Sequence, residues 1–387
     1  MRLIYAMLAG WLSASTAMAE LTLDIRYLLI EQPRPPTLSN LDPLPESLGV
    51  DGAQVGLQDN ITTGRFLGHN YTLELARVAD GDDPIAAAQQ ALSETAFVLI
   101  DGPAEALTAI ADLPQANGAI LLNVAAPDAA LRSDDCRANV LHTVSSMAMR
   151  TDALAQFFVT KRWDDLVMIA GTHADDVAYA NAMQRSLQKF GLELGAQKTW
   201  AFDADMRRNA AQEVPLFTQE FGDYDALIVA DELGDFGRYI LYNTWQARPI
   251  VGSEGLAAAT WAPVVEQWGA VQLQNRFTDE FGRDMAPKDY AAWAAVRALG
   301  EAVTRTNSAD AATLRSYMLS DQFELAGFKG RPLTFRAWNG QLRQPIPLVH
   351  PRALVAQAPL EGFLHQRTEL DTLGLDEPES NCTEFAQ

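Results

Sequence analysis

Five short polar segments carry the residue types that could bind a small polar molecule. Each lies at the expected carboxyl end of a strand, and together they comprise residues 101–103, 123–128, 171–173, 231–232 and 252–255. Carboxylates, amides, hydroxyls and exposed glycine backbone supply both donors and acceptors of hydrogen bonds. The candidate ligand contacts within these segments are Asp101, Gly102, Asn123, Ala126, Thr172, Asp231, Glu232, Ser253 and Glu254.

Other interpretations of these positions stay open. Asp101 and Gly102 could form only a turn between a strand and a helix. Asp175 and Asp176 are as typical of a helix cap as of a ligand contact, because a carboxylate stabilises a helix N-terminus. Trp261 is a further candidate ligand contact, although it is equally typical of a protein core.

The chain lacks the residue spacings of common enzyme active sites. No His-Glu-x-x-His or Cys-x-x-Cys pair occurs, so the ligands of a zinc hydrolase are missing. The serine-hydrolase pattern Gly-x-Ser-x-Gly and the phosphate-binding pattern Gly-x-x-x-x-Gly-Lys are also absent. We therefore expect a protein that is not an enzyme, with no catalytic residues and no cofactor.

A metal carrier is an alternative to a binder of organic molecules. Hard cations such as calcium take six to eight oxygen ligands. Asp101, Asp231, Glu232 and Glu254 could supply some of these oxygens, but no Asp-x-Asp-x-Asp-Gly loop is present. Such a calcium or lanthanide site would have to be assembled from distant parts of the chain, and no specific metal ligands are assigned.

The elements that must position these segments alternate between strands and helices. Continuous apolar runs predict buried strands at 21–30, 96–100, 119–124, 166–170 and 226–230. Helical patterns lie between and after them, at 83–93, 103–113, 147–161, 175–190 and 234–245. This repetition predicts an α/β fold with doubly wound parallel sheets, that is, with helices on both faces.

The length of 387 residues predicts two lobes, because single cores stop growing at about 250 to 300 residues. The alternation pauses at 139–149, where we place the first boundary. A helical block follows at 270–281, 287–304 and 311–319, and Asn339-Gly340 predicts a hairpin turn. We assign residues 20–145 and 255–325 to lobe 1, residues 146–254 and 326–350 to lobe 2, and residues 351–387 to a tail that wraps a lobe.

The charge balance excludes one class of partner. There are 29 Lys and Arg against 50 Asp and Glu, which gives a formal net charge of −21. Nucleic-acid binding needs a clustered basic surface that such a composition does not supply. We expect a monomer that binds a small molecule.

Residues 1–19 have the features of a cleavable signal peptide. Arg2 precedes an apolar stretch, and Ala17-Met18-Ala19 is a pattern that signal peptidase cuts, so we expect cleavage after Ala19 and export. The apolar stretch is shorter than the ~20 residues that span a bilayer, and no later run is long enough. In an oxidising compartment Cys136 and Cys382, the only cysteines, are expected to form a disulfide, with two unrelated thiols as the alternative.

Several segments, in this order, resemble type I periplasmic binding proteins of the branched-chain amino-acid family. They are the first strand near Ile25, Asp101-Gly102-Pro103, Asp175-Asp176, and residues 247–252 and 289–298. The resemblance covers nearly the whole mature chain. It implies two doubly wound lobes joined by a three-segment hinge, a periplasmic location, and a role as the leucine-binding-like component of an ABC importer that delivers ligand to membrane subunits.

Other segments resemble the branch of this family that is associated with PQQ-dependent alcohol dehydrogenase systems. They are residues 266–270, 274–277, 350–355, 361–364 and 367–374. This resemblance implies a link with periplasmic alcohol oxidation and leaves the ligand open, as it leaves open sensing without transport.

The family resemblance also implies roles for particular residues. Amino-acid binders of the family hold the ligand ammonium with an acidic residue, which Glu254 matches, and cover the ligand with a tyrosine, for which Tyr179 is the candidate. In the first lobe, however, Ala125 and Ala126 stand where a hydroxyl is expected. A carboxylate ligand would also be repelled by nearby acidic residues. An amino acid is therefore not favoured, and a small polar organic ligand is expected.

Overall fold

The structure is a computed structural model that describes residues 20–33, 44–201 and 206–385. The predicted signal peptide lies outside the described residues.

The first sheet has five parallel strands in the order β2-β1-β3-β4-β5. These strands are β1 (Leu21–Ile30), β2 (His69–Val78), β3 (Phe97–Asp101), β4 (Ile120–Asn123) and β5 (Val140–His142). Helices cover both faces. They are α1 (Val50–Gly64), α2 (Pro84–Glu94) and α3 (Ala104–Ala111), together with α8 (Ala270–Phe281), α9 (Pro287–Thr306) and α10 (Ala311–Met318).

The second sheet has seven strands in the order β15-β14-β10-β9-β8-β6-β7. These strands are β6 (Leu166–Ala170), β7 (Leu194–Thr199), β8 (Ala226–Ala230), β9 (Ile250–Gly252), β10 (Leu256–Ala258), β14 (Ile346–His350) and β15 (Ala353–Ala358). The neighbours from β7 to β10 pair in parallel, whereas β14 and β15 add antiparallel. The helices of this lobe are α4 (Met147–Lys161), α5 (Ala174–Lys189), α6 (Met206–Gln219) and α7 (Gly237–Ile240).

Burial on both faces explains why the central strands are continuously apolar. In β6, Met168 packs in one core cluster, while Val167 and Ile169 pack in a second cluster on the opposite face. In the first sheet, Leu99 and Ile100 divide in the same way. The prediction of a doubly wound α/β fold is thus confirmed.

Two predicted elements differ from the observed ones. The helix predicted at 234–245 covers only Gly237–Ile240, because the backbone of Tyr242 has a φ of 66°, which an α-helix cannot contain. The hairpin at Asn339-Gly340 forms between β12 (Pro332–Phe335) and β13 (Leu342–Arg343), and β12 also pairs with β11 (Leu325–Ala326) in a small antiparallel sheet. The chain then leaves the hairpin, and residues 346–350 join the second sheet.

Three chain segments connect the lobes side by side, at about residues 143–146, 258–261 and 343–346. Ser145 Oγ lies 2.5 Å from Thr260 Oγ1, which joins the first segment to the second. The side-chain amide of Gln344 donates to the carbonyl of Thr143 at 3.1 Å and joins the third segment to the first. These bonds hold the three segments together as one hinge.

The packing leads us to propose lobe boundaries that differ from the predicted ones at three places. Leu256–Ala258 pairs within the second sheet, not with lobe 1. The β12–β13 hairpin buries Leu333, Phe335 and Leu342 in the core of lobe 1, not lobe 2. Ala353–Ala358, which belongs to the predicted tail, is the edge strand of the second sheet. We therefore propose that the chain changes lobe at the three hinge segments.

The predicted disulfide between Cys136 and Cys382 is confirmed. It fixes the end of the tail to lobe 1, where Ser380 Oγ also donates to the carbonyl of Arg132 at 2.8 Å. Earlier tail residues contact lobe 2, because the backbone amide of Gly374 donates to Asp152 Oδ2 at 2.7 Å. The tail is therefore attached to both lobes.

Candidate functional site

The carboxyl ends of the parallel strands face the hinge in both lobes. The first hinge segment directly follows β5, and the second directly follows β10. All strands parallel to these two end at the same edge of their sheet. The five polar segments singled out from the sequence therefore lie at the sheet edges next to the hinge, and ligands of open α/β sheets bind at such edges.

An arginine–glutamate pair forms the centre of the second-lobe wall. Arg150 Nη1 and Nη2 donate to the two carboxylate oxygens of Glu232 at 2.7 and 3.0 Å, and Arg150 Nε donates to the carbonyl of Ala258. Ser253 Oγ donates to Glu232 Oε1 at 2.9 Å. Burial by itself would raise the pKa of Glu232, but the Arg150 guanidinium outweighs it and the pKa is lowered. Glu232 is thus an ionised carboxylate that already has a cation.

Asp231 fixes the backbone of residues 235–237 in the same wall. Its carboxylate accepts hydrogen bonds from the backbone amides of Asp235, Phe236 and Gly237 at 2.9, 2.9 and 2.6 Å. These bonds shape the loop that leads into α7.

Glu254 follows β9 and is partly buried. A Cβ atom added to Gly237 would lie only 2.5 Å from Glu254 Cγ, so the glycine is what allows this side chain to pack at the start of α7. Ser253, next to it, is also partly buried, and Thr172 after β6 is exposed. Of the predicted second-lobe residues, these three have side chains that are not fully buried and that carry polar atoms outside the Arg150–Glu232 pair.

Asp176 is a cap rather than an exposed contact. Its carboxylate accepts from the backbone amide of His173 at 3.3 Å and completes a capping box at the start of α5. It also accepts from the backbone amide of Glu232 at 2.7 Å, which ties α5 to the end of β8. Burial raises the pKa of Asp176 to about 6.

In the first lobe, Asp101 is buried and paired. It accepts from Tyr27 Oη at 2.8 Å and from Lys288 Nζ at 2.8 Å, and its side chain is 3% exposed. Gly102 is buried against Ile30, where a Cβ atom would lie 2.9 Å from Ile30 Cδ1. Asp101 therefore joins β3 to β1 and α9.

Asn123 and Ala126 form a closed turn after β4. Asn123 Oδ1 accepts from the backbone amides of Ala125 and Ala126 at 3.1 and 2.9 Å. Its amide nitrogen donates to the carbonyl of Ala126, as does Arg132 Nη1. Side chain and backbone are thus satisfied within the turn.

The two aromatic candidates lie inside the lobes. Trp261 is stacked on Tyr290 with 4.8 Å between ring centroids, and its indole nitrogen donates to Gln274 at 2.9 Å. Tyr179 is fully buried, with the Arg150 guanidinium 5.3 Å from its ring centroid. Burial raises the pKa of Tyr179 above its usual value. Both rings support the walls of the site from within.

The acidic residues do not come together as a metal site. In the described ranges 20–33, 44–201 and 206–385, no group of three or more His, Cys, Asp or Glu side chains is arranged to hold a metal ion. Asp101 and Glu232 are each paired with a cation of the protein.

Sequence reasoning missed Arg150, the residue that organises the second-lobe wall. It lies in the first turn of α4, 82 positions from Glu232. The sequence contains one indirect signal, because a buried glutamate requires a nearby cation. That requirement does not indicate which Lys or Arg provides the charge.

Comparisons with known proteins identify the fold. No family model and no curated protein matches the chain. A branched-chain amino acid ABC transporter periplasmic ligand-binding protein from Burkholderia xenovorans LB400 is 14% identical, with a TM-score of 0.70 over 94% of this chain and 100% of the other.

Two further structures agree with this. A periplasmic binding protein from Burkholderia mallei is 12% identical, with a TM-score of 0.65 over 95% of this chain and 99% of the other. A solute binding protein of an ABC transporter from Rhodopseudomonas palustris BisB5, in complex with 3,4-dihydroxybenzoic acid, is 13% identical. Its TM-score is 0.58 over 85% of this chain and 93% of the other. The chain therefore has the fold of type I periplasmic binding proteins.

Among the described residues, none of the helices combines the length and the apolar character that a membrane span requires.

Proposed function

We propose that this chain is the non-catalytic, periplasmic solute-binding component of an ABC importer. The observation that carries the proposal is the arrangement of two parallel-sheet lobes whose strand ends face each other across a three-segment hinge. This arrangement allows the lobes to close on a ligand, and the ligand favours closure only by its higher affinity for the closed state.

The eleven predicted site residues fall into two groups in this proposal. Thr172, Ser253 and Glu254 contact the ligand from lobe 2, while the backbone of Gly102 does so from lobe 1. The remaining seven hold the walls in shape, and they are Asp101, Asn123, Ala126, Tyr179, Asp231, Glu232 and Trp261. Their support is that each is buried or, in the case of Glu232, largely buried against Arg150.

The ligand we propose is a small polar organic molecule that presents hydrogen-bond donors to lobe 2. Glu254 and Ser253 offer acceptors there, whereas Ala125 and Ala126 bring no hydroxyl to the lobe 1 wall. Relatives of this fold have been solved with leucine and with 3,4-dihydroxybenzoic acid, so the fold accommodates ligands of this size. The sequence resemblance to the branch associated with PQQ-dependent alcohol oxidation supports a role in that system.

A thermal-shift screen of residues 20–387 tests the proposal. The library contains amino acids, small alcohols, organic acids, quinone cofactors and calcium or lanthanum ions. A ligand that binds only the native state raises its stability by ~2.7 kcal/mol at a hundredfold excess over Kd. We expect an organic molecule to raise the melting temperature, and a response confined to metal ions would contradict the proposal.

Replacing Glu254 by alanine is expected to raise the Kd of the ligand found in this screen by more than ~10-fold. The reason is the loss of a charged acceptor in a partly desolvated site, where hydrogen bonds to charged groups contribute about 1.5 to 3 kcal/mol. Isothermal titration calorimetry measures the change. Glu193→Ala is the control, because Glu193 is exposed just before β7, at the opposite end of the sheet. Equal Kd values for Glu254→Ala and Glu193→Ala would exclude Glu254 from the site.

A further inference from the structure

A cavity of about 280 Å³ lies beside the third hinge segment, which contributes Pro345 to its wall. Its walls include Trp268, Lys329, Arg331, Pro345, Gln357 and Pro359. In the second sheet β15, which carries Gln357, is separated by β14 and β10 from β9, which Ser253 and Glu254 follow. At ~4.8 Å per strand the two strands are about 14 Å apart, and none of the eleven predicted site residues lines the cavity, so this cavity and the proposed ligand site are distinct.

An indole ring forms one exposed wall of the cavity. Trp268 is 43% exposed, and its backbone has a φ of 56°. A Cβ atom on Gly330 would lie 2.6 Å from Trp268 Nε1, so only glycine lets the indole lie against the backbone here. Together with Pro345 and Pro359, this indole gives the cavity flat apolar surfaces that suit a ring.

A buried acceptor in the cavity wall has no partner. Gln357 Nε2 donates to the carbonyl of Lys329 at 3.0 Å, which fixes the orientation of the amide group. Gln357 Oε1 is then buried without a hydrogen bond among the described residues. An unsatisfied buried acceptor is costly, and a ligand with an N–H or O–H group would satisfy it.

The charged groups of the cavity favour an anion. Lys329 is 3% exposed, and its ammonium group donates to Gln344 Oε1 at 2.7 Å and to the carbonyl of Pro345 at 3.2 Å, both uncharged acceptors. Arg331 at the rim is paired with Glu369. Burial lowers the pKa of Lys329 well below its ordinary value. Because the two acceptors of its hydrogen bonds are uncharged, a bound carboxylate would counter this shift by favouring the charged ammonium form.

We propose that this cavity is a second ligand site, for a small aromatic acid that carries a hydroxyl group. The ring stacks on Trp268, the carboxylate is attracted by Lys329, and the hydroxyl donates to Gln357 Oε1. The site is separate from the proposed importer ligand site, and the inference does not depend on that proposal.

The test is calorimetric titration of residues 20–387 with 4-hydroxybenzoate and with 4-methoxybenzoate, which keeps the ring and the carboxylate but has no donor. We expect saturable binding of 4-hydroxybenzoate with a Kd in the micromolar to millimolar range, and weaker binding of the methoxy compound. Trp268→Ala is expected to raise the Kd of 4-hydroxybenzoate by at least ~10-fold. Gln357→Leu is expected to abolish the difference between the two compounds.

Two controls keep this test decisive. Melting curves confirm that each variant is folded, and Trp245→Ala removes another exposed tryptophan that does not line the cavity. Absence of saturable 4-hydroxybenzoate binding would overturn the proposal. So would binding that Glu254→Ala weakens and Trp268→Ala leaves unchanged, because the compound would then occupy the space between the lobes.

Discussion

Replacing Cys136 and Cys382 by serine is expected to lower the free energy of unfolding by about 4 to 5 kcal/mol. The disulfide closes a loop with a sequence separation of 246 residues. In the chain-entropy model, removing so long a cross-link gives the unfolded chain a large gain in conformational freedom. Guanidinium unfolding of the oxidised wild type and of the double variant measures the difference.

Reduction of the wild type provides the matched control. A reducing agent should lower the stability of the wild type to that of the double variant and should leave the double variant unchanged. The tail has further anchors, including the bond from Asn381 to Ser133 Oγ at 3.0 Å, so we expect it to stay folded on lobe 1 near neutral pH. A loss below about 1 kcal/mol would mean that these other contacts already restrict the tail.

Replacing Arg150 by methionine is expected to destabilise the chain by about 3 kcal/mol, at the lower end of the range for breaking a buried ion pair. The side chains of Arg150 and Glu232 are only 22% and 15% exposed, so the variant leaves Glu232 buried without a cation. Urea unfolding at neutral pH measures the loss. The double variant Arg150→Met/Glu232→Leu should recover most of it, because no charge is then left unpaired.

The same pair predicts a dependence on pH. The pKa of Glu232 is lowered from its ordinary value of 4.5 in the folded chain. The ion pair therefore contributes its full stability above pH 4.5, and this contribution is lost as the pH falls through the folded pKa. The difference between the wild type and Arg150→Met should shrink as the solution is acidified. A difference that stays constant down to pH 3 would show that the arginine acts through packing alone.

The sequence is most informative where the residues of one element are sufficient to predict its environment in the fold. Strands covered on both faces must be apolar throughout, so the runs at 166–170 and 226–230 could be placed to the residue. The disulfide could be predicted because only two cysteines were available in a chain that carries a signal-peptide pattern.

Elements whose form depends on a distant partner could not be predicted in this way. The α1 helix contains Gly52 and Gly56, which lower helix propensity, and it is stable because these glycines allow close packing on α9. A Cβ atom on Gly52 would collide with the carbonyl of Asp289. The edge strand β2 mixes exposed and buried residues without a continuous apolar run.

The candidate site shows the same limit. The strand ends could be predicted, because parallel strands bring their carboxyl ends to one edge. Which carboxylates are paired with a cation of the protein could not be predicted, since this depends on residues far away in sequence. Asp101 is paired with Lys288 and Glu232 with Arg150, at separations of 187 and 82 residues. The proposed site uses Glu254 as its acidic ligand contact.

The most direct test of the central claim is small-angle X-ray scattering of residues 20–387 with and without the organic ligand found in the thermal-shift screen. We expect the ligand to lower the radius of gyration, because the lobes close about the three-segment hinge. Glu254→Ala should shift this change to higher ligand concentrations. A ligand that stabilises the chain but leaves the scattering curve unchanged at saturation would contradict capture by lobe closure.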